Sequence, residues 1–297
     1  MEHEYDFTGK AIVVTGATAG IGYRTALEFC CRGGLVIGIG RSENRCNDAR
    51  DRILKELPTA RVRFVTGDLS KQSEVKRLAS GSESILKAEK FTSLDVLVNN
   101  AGLFMDKLVL TEDSIETTVA VNHMAPFLLT HLLLPLLQKS TGGRVITVSS
   151  DSHLRTYIIP ERIRKPLIFI SLWQYKLSKL ANVLFSLEFN RLYAGTSVHA
   201  FAVDPGLVNT DIGLKGTGPL SSFIWQKRQK LGVDTIEPAT TILFLAGDAD
   251  APKSSAIYWH DCAPKPASRN AVDPELATRL WQESVKLCHI ETVEELK

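Results

Sequence analysis

The sequence carries almost no net charge. Its 297 residues include 35 Lys and Arg against 33 Asp and Glu, a formal charge of +2. No strong phosphate-seeking field results, which argues against a nucleic-acid partner held by bulk charge. Cysteine is also sparse: Cys30, Cys31, Cys46, Cys262 and Cys288 are odd in number and form no Cys-x-x-Cys pair. That fits neither a disulfide scaffold nor a zinc ribbon, and reduced thiols in a reducing compartment are the simpler reading. His123, His131, His153 and His199 lack metal-ligand spacing, so no metal is expected. No Gly-, Ser- or Pro-rich run reads as an interdomain linker, and no internal repeat is visible. The most apolar long stretch, Phe127 to Leu137, is interrupted by His131 and Pro135. It falls far short of the ~20 residues that span a bilayer. The acidic start, Met1-Glu2-His3-Glu4-Tyr5-Asp6, does not read as a signal peptide. The expectation is a soluble, cytoplasmic protein with no transmembrane segment.

What is present is an ordinary globular composition, 44% hydrophobic and 23% charged. A disordered chain would be poorer in apolar residues. Short β-branched runs alternate with longer amphipathic ones. Strands are predicted at Lys10–Thr15, Leu35–Gly40, Arg61–Thr66, Leu94–Val98, Gly143–Ser149 and Ser197–Val203. Helices are predicted at Gly20–Arg32, Glu43–Leu57, Ser70–Lys90, Thr111–Lys139, Ser171–Tyr193 and Asp273–Leu287. Such alternation points to βαβ units: an α/β, Rossmann-type doubly wound parallel sheet with helices on both faces. Residues 1–297 read as a single dinucleotide-binding catalytic domain.

Thr15-Gly16-Ala17-Thr18-Ala19-Gly20-Ile21-Gly22 lies directly between the first strand and the first helix. Glycines there allow a tight turn and a close backbone approach to a pyrophosphate. The helix N-terminus offers free N–H groups and partial positive charge to that anion. The expected contacts are Gly16, Thr18, Ala19, Gly20, Ile21 and Gly22. An NAD site usually has an acid at the end of the second strand, bonded to the ribose 2′-hydroxyl. Here the chain reads Gly38-Ile39-Gly40-Arg41-Ser42, and Arg41 could pair with a 2′-phosphate. That favours NADP(H), with Arg24 and Arg45 as less well placed alternatives.

The chain resembles the short-chain dehydrogenase/reductase family over nearly its whole length. The resemblance rests on the Thr15–Gly22 loop, Asp68-Leu69, Asn99-Asn100-Ala101-Gly102, Asn122, Val148-Ser149-Ser150, Tyr175-Lys176-Leu177-Ser178-Lys179 and Pro205-Gly206, in this order. YKLSKLANVLF, VNHMAPFLLT and ELATRLWQESVKL are similar to segments of the retinol dehydrogenase-like branch, as is the long stretch between Ser150 and Tyr175. Several animal members of that branch have an N-terminal membrane anchor, which is not expected here.

The resemblance implies that Tyr175 exchanges a proton with the substrate oxygen. Lys179 would lower the tyrosine pKa and bond the nicotinamide ribose, and Ser150 would bond the substrate oxygen. Asn122 would hold a water in a relay toward Lys179. Tyr175 and Lys179 are four apart on a helix and so share a face. The resemblance also implies cofactor contacts at Asp68, Leu69, Asn99, Ala101, Gly102, Pro205, Gly206, Val208 and Thr210. For Asn100 a purely structural turn is the alternative.

Two segments, about 151–174 and 207–234, should roof the substrate pocket. The first holds Tyr157, Ile158, Ile159, Leu167, Ile168, Phe169, Ile170, Leu172 and Trp173. The second holds Leu214, Leu220, Phe223, Ile224 and Trp225. Pockets lined in this way favour apolar ligands, so a hydrophobic aldehyde or ketone, or the matching alcohol, is expected. A non-catalytic NADP-binding sensor on the same scaffold is the alternative, because fold does not fix function. Leu220–Leu231 mixes apolar and basic residues and could instead touch a membrane surface. Pairing into a homodimer through the two long helices is a further expectation from the family.

Overall fold

The computed structural model describes residues 5–206 and 235–290. Strands β1 (Ala11–Thr15), β2 (Leu35–Gly40), β3 (Val62–Thr66), β4 (Val96–Asn99), β5 (Arg144–Val148), β6 (His199–Val203) and β7 (Tyr258–His260) lie parallel in one sheet. The short β8 (Ala263–Pro264) closes the edge antiparallel to β7. The spatial order is β3-β2-β1-β4-β5-β6-β7-β8. The order in which strands are added reverses between β1 and β4, which opens a crevice at the C-terminal ends of those parallel strands.

The strands are apolar on both faces, as a sheet covered on both sides requires. Ala11 and Val13 face one core together with Leu35, Ile37 and Ile39. Ile12, Val14 and Val36, one residue out of step, face the other. Helices α1 (Gly20–Cys31), α2 (Glu43–Glu56) and α6 (Ile236–Gly247) cover the second core. Helix α2 buries Cys46, Ala49 and Ile53 at helical spacing. Helices α3 (Gln72–Ala88), α4 (Thr117–Leu137), α5 (Ser171–Leu192) and α7 (Pro274–Leu287) cover the first.

Helix α4 starts later than its apolar pattern predicts. Ser114 adopts a left-handed φ of 59°, and the fully buried Glu116 caps the helix instead. Its carboxylate oxygens accept from the Thr118 and Val119 N–H groups at 2.9 and 3.0 Å. Burial raises the Glu116 carboxyl above its ordinary range, against those bonds. The expectation that no apolar segment reaches a membrane-spanning length is also corrected. Thr117–Leu137 is long and apolar enough by composition, because its first turns are apolar as well; 83% of its most apolar 18-residue stretch is buried inside the fold. No clear pattern marks residues 235–272, where the structure has α6, β7 and β8. Helix α6 mixes a β-branched run with Pro238, and the strands are only three and two residues long.

Helix α7 lies across α4 and α5. The Trp281 ring sits 5.0 Å from Phe127, stacks 5.7 Å from Phe185 and lies 5.0 Å from His131. His123 Nε2 meets Ser284 Oγ at 3.1 Å. One side of each long helix is therefore covered within the chain itself, while Leu132 on α4 and Leu172 on α5 stay exposed. Trp281 is 4% exposed, so Trp281→Ala should lower the unfolding free energy by about 3–5 kcal/mol. Urea denaturation checks this; a loss under about 1 kcal/mol would mean that α7 is not part of the cooperative core.

Candidate active site

The glycine loop is held by the neighbouring strand. Gly16 and Gly20 have φ of 70° and 56°, a region that side chains disfavour. A Cβ at Gly22 would collide with the Gly16 carbonyl oxygen and the Asn100 side chain. Thr15 Oγ1 accepts from the Asn100 and Ala101 N–H groups at 2.9 and 3.0 Å. Asn100 Nδ2 returns a bond to the Thr15 carbonyl at 2.8 Å. Helix α1 follows Ala19 at its N-cap, with no side-chain cap and no acid in the first turn. Its first N–H groups and positive dipole end are thus open to an anion. A nicotinamide dinucleotide fits this cradle: its pyrophosphate needs the close backbone approach that side chains at Gly16 and Gly22 would block.

Thr18 and Ala19 are partly exposed on this loop, while Ile21 and Gly22 turn into the core. Asn99 does not present its side chain to the crevice. That amide is 2% exposed and donates from Nδ2 to Thr130 Oγ1 at 3.1 Å. Any cofactor contact there falls to the backbone and to Ala101 and Gly102, which are partly exposed. The structural alternative for Asn100 is the one observed. Asp68 accepts from Ser70 N at 2.9 Å in the turn after β3, and Leu69 packs against the core.

Arg41 is exposed at the end of β2. Arg24 is paired with Glu28 at 2.6 Å and so is committed elsewhere. Arg45 lines a cleft of about 640 Å³ with Thr18, Ala19, Asp48, Asp51, Arg52 and Lys55. Arg52, unmarked by any sequence motif, donates to the Thr18 carbonyl at 3.2 Å. Its guanidinium also lies 4.1 Å over the Tyr23 ring.

Helix α5 docks on the C-terminal end of β5 through polar contacts. Ser149 Oγ donates to the Lys179 carbonyl at 2.7 Å. Lys179 Nζ donates to the Val148 carbonyl at 2.9 Å, and Asn182 Nδ2 to the same oxygen at 3.3 Å. Lys179 is only 2% exposed. Burial pushes its ammonium down to about 8, and no carboxylate among the described residues pairs with it. Tyr175, one turn earlier, has its ring 5.5 Å from that ammonium. Phe104, not anticipated from sequence, lies 5.9 Å from the same ring. Ser149 is spent on α5, whereas Ser150 is partly exposed beyond the strand. Ser150 Oγ accepts from Ser152 N at 3.1 Å, capping the short turn Asp151–His153, and donates to Ser152 Oγ at 3.1 Å.

Asn122 sits on a π turn, Ala120–Met124, inside α4; such turns are frequent at functional sites. Its Oδ1 accepts from Leu103 N at 2.8 Å. Its Nδ2 donates to Leu103 O and Ser178 Oγ, both at 3.0 Å, and Ser178 Oγ donates to the Tyr175 carbonyl at 2.7 Å. Both amide protons are therefore taken by protein atoms. This side chain ties the Leu103 turn to the helix carrying Tyr175.

Pro205 and Gly206 follow β6 at the same sheet edge. Gly206 has φ 70°, and its N–H donates to Asp204 Oδ1 at 3.1 Å. Val208, Thr210, the pocket segment 207–234 and Leu220–Leu231 within it lie outside the described residues. In the other pocket segment, Ile158 is buried, but Leu167 and Ile168 are each 79% exposed. They do not pack onto the sheet.

Residues 10–216 match the family model described as short chain dehydrogenase. Mouse (Mus musculus) retinol dehydrogenase 12 is 35% identical over 95% of this chain and 87% of its own length. The crystal structure of an uncharacterized protein from Mycobacterium paratuberculosis superposes with a TM-score of 0.74 at 30% identity, over 97% of this chain and 96% of that one. The landomycin C-6 ketoreductase LanV, solved with bound NADP and rabelomycin, gives 0.66 at 26% identity, over 86% of this chain and 95% of that one. The chain thus belongs to the short-chain dehydrogenase/reductase family, oxidoreductases that bind a nicotinamide cofactor and act on CH–OH groups, with retinol dehydrogenases among its relatives.

Proposed function

We propose that the protein is an NADP(H)-dependent carbonyl reductase, or alcohol dehydrogenase in the reverse direction, acting on a hydrophobic aldehyde or ketone. The observation that carries this reading is the buried Lys179 ammonium beside the Tyr175 ring, with no carboxylate among the described residues to neutralise it. A tyrosine hydroxyl ordinarily titrates near ~10 and is a poor base at neutral pH. An uncompensated cation in a dry site favours the phenolate.

The nicotinamide, when bound, supplies or accepts the hydride. Tyr175 gives its proton to the substrate oxygen in reduction and takes one back in oxidation. Ser150 Oγ donates to that oxygen as negative charge develops on it. Asn122, through Ser178, holds the helix turn that carries Tyr175. The preference for NADP rests on Arg41 at the end of a strand that lacks an acid there, with Arg45 nearby. It is supported by the NADP bound to the LanV ketoreductase. The apolar substrate class is supported by Leu167, Ile168 and Ile170, which stay exposed just ahead of the Tyr175 helix. Large exposed apolar groups of this kind mark contact surfaces.

Oxidation of NADPH with a panel of apolar aldehydes and ketones tests the reading. Tyr175→Phe should lower kcat by at least ~100-fold while the Kd for NADPH stays unchanged, because only the proton donor is lost. Equal turnover in that variant would overturn the mechanism. Arg41→Ala should weaken NADPH roughly ten- to hundredfold and leave NADH nearly unaffected, the size of a lost charged hydrogen bond. Fluorescence titration with both cofactors reads this, and an unchanged preference would move the role to Arg45. Lys179→Met should lose at least ~100-fold in turnover with no fall in Tm at neutral pH. The lysine's folded pKa of about 8 lies below its ordinary 10.5, so its charge opposes folding at neutral pH and this penalty fades as pH rises through that window. A marked drop in Tm would show that Lys179 is chiefly structural.

A further inference from the structure

Behind Ser150, away from α5, the chain builds an ionic cluster that the proposed chemistry does not use. Lys265, just past β8, donates from Nζ to Asp151 Oδ2 and to Asp204 Oδ2, each at 2.6 Å. Asp151 directly follows Ser150, and Asp204 directly precedes Pro205-Gly206. Asp204 is 2% exposed, and its Oδ1 accepts from the Gly206 and Asp151 N–H groups at 3.1 and 3.4 Å. Tyr258, from β7, donates its hydroxyl to Asp151 Oδ1 at 3.1 Å. His153 Nδ1 bonds the Ser150 carbonyl at 2.8 Å, and its Nε2 accepts from Ser268 N at 3.2 Å. Its ring stands edge-on 4.8 Å from Tyr258.

We propose that Lys265 is a positioning residue, which locks the Ser150 turn to the Pro205–Gly206 turn and offsets the charge of the two carboxylates that flank them. The inference rests on the catalytic reading above. Burial alone would lower the Lys265 ammonium, but its bonds to Asp151 and Asp204 raise it above the ordinary lysine range. It is therefore charged wherever the enzyme works. Tyr258 is held well above the usual tyrosine range by burial, and then by Asp204, Asp151 and the Tyr175 oxygen. It stays protonated and donates to Asp151. Asp151 directly follows Ser150, which shares the substrate oxygen with Tyr175 in the proposed chemistry, so the cluster's charge stands beside the proton-transfer site. The other groups facing it are His153, kept neutral by burial, and His260, whose Nδ1 bonds the Asp204 carbonyl at 3.0 Å. On the far side of Tyr175 stands Lys179. Without Lys265, two uncompensated carboxylates would oppose the Tyr175 phenolate, since like charge disfavours the ionised form.

The test is the pH profile of kcat/KM for alcohol oxidation. In Lys265→Met the rising limb should move to higher pH by about one unit, roughly a tenfold loss on that limb. Lys265→Arg should restore the wild-type profile, and adding Asp151→Asn to Lys265→Met should move the limb part of the way back. A uniform loss at every pH, unrescued by arginine, would show a merely structural contact and overturn the proposal. So would an unchanged profile. A substrate-free readout separates this from failure of the catalytic reading. The tyrosinate absorbance titration, taken as the difference between Tyr175 and Tyr175→Phe proteins, should show the same upward move in Lys265→Met. If wild type turns over no tested substrate, the catalytic reading falls; if this difference titration does not move, the inference falls.

Discussion

Helix α5 is anchored to β5 through a buried charge that has no counter-charge among the described residues. Lys179 reaches the Val148 carbonyl from one side while Ser149 reaches the Lys179 carbonyl from the other. These reciprocal bonds satisfy the last carbonyl of β5 and the Lys179 carbonyl, and fix the rotation of the helix about its axis. Tyr175 then faces the crevice, and Ser150, one residue beyond Ser149, is left at its mouth. A buried ammonium is costly, and hydrophobic packing along α4, α5 and α7 holds it in place. Phe127, Phe185 and Trp281 form the densest part of that packing. The site is thus strained electrostatically and supported mechanically, a usual division between a functional centre and its scaffold.

The cofactor side follows a different logic. There the constraint is steric: backbone must come close to a large anion. Thr15, Gly16, Gly22 and Asn100 interlock so that the loop presents N–H groups without side chains in the way. Asn100 contributes by bracing the loop from β4. The two halves meet because β1, β4, β5 and β6 are parallel neighbours whose C-terminal ends open on one edge. The Lys265 cluster sits on that same edge. It uses the last strands of the sheet to close the far side of the Ser150 turn.

Much of this was legible in the chain itself. The strands are short and β-branched, the helices carry apolar residues at helical spacing, and the glycine loop falls between one of each. Tyr175 and Lys179 are local in sequence, so their shared face follows from helix geometry alone. Boundaries failed where a single residue overrode a pattern. Ser114 and Glu116 stop the apolar run from starting α4 at Thr111. Helix α6 and the edge strands were missed because a β-branched apolar run suits both periods and very short strands suit neither. Asn99 and Asn100 are adjacent and chemically identical, and only the pairing of β4 with β1 decides which amide braces the glycine loop.

The sequence by itself determined the architecture, the phosphate loop and the Tyr175–Lys179 pair, because each is written in neighbouring residues through turn chemistry and periodicity. Tertiary structure alone decided which polar groups are spent and which are free. Arg24 is taken by Glu28, Asn122 by Leu103 and Ser178, and Ser149 by Lys179, while Arg41 stays exposed and Ser150, partly exposed, turns its hydroxyl only to the neighbouring Ser152. It also decided that Lys265 meets Asp151 and Asp204 across more than sixty residues of chain. The physical reason is that hydrogen-bond and ion-pair partners are set by distance in space. A pattern of residue types carries that information only where partners lie within a turn of helix or a single loop.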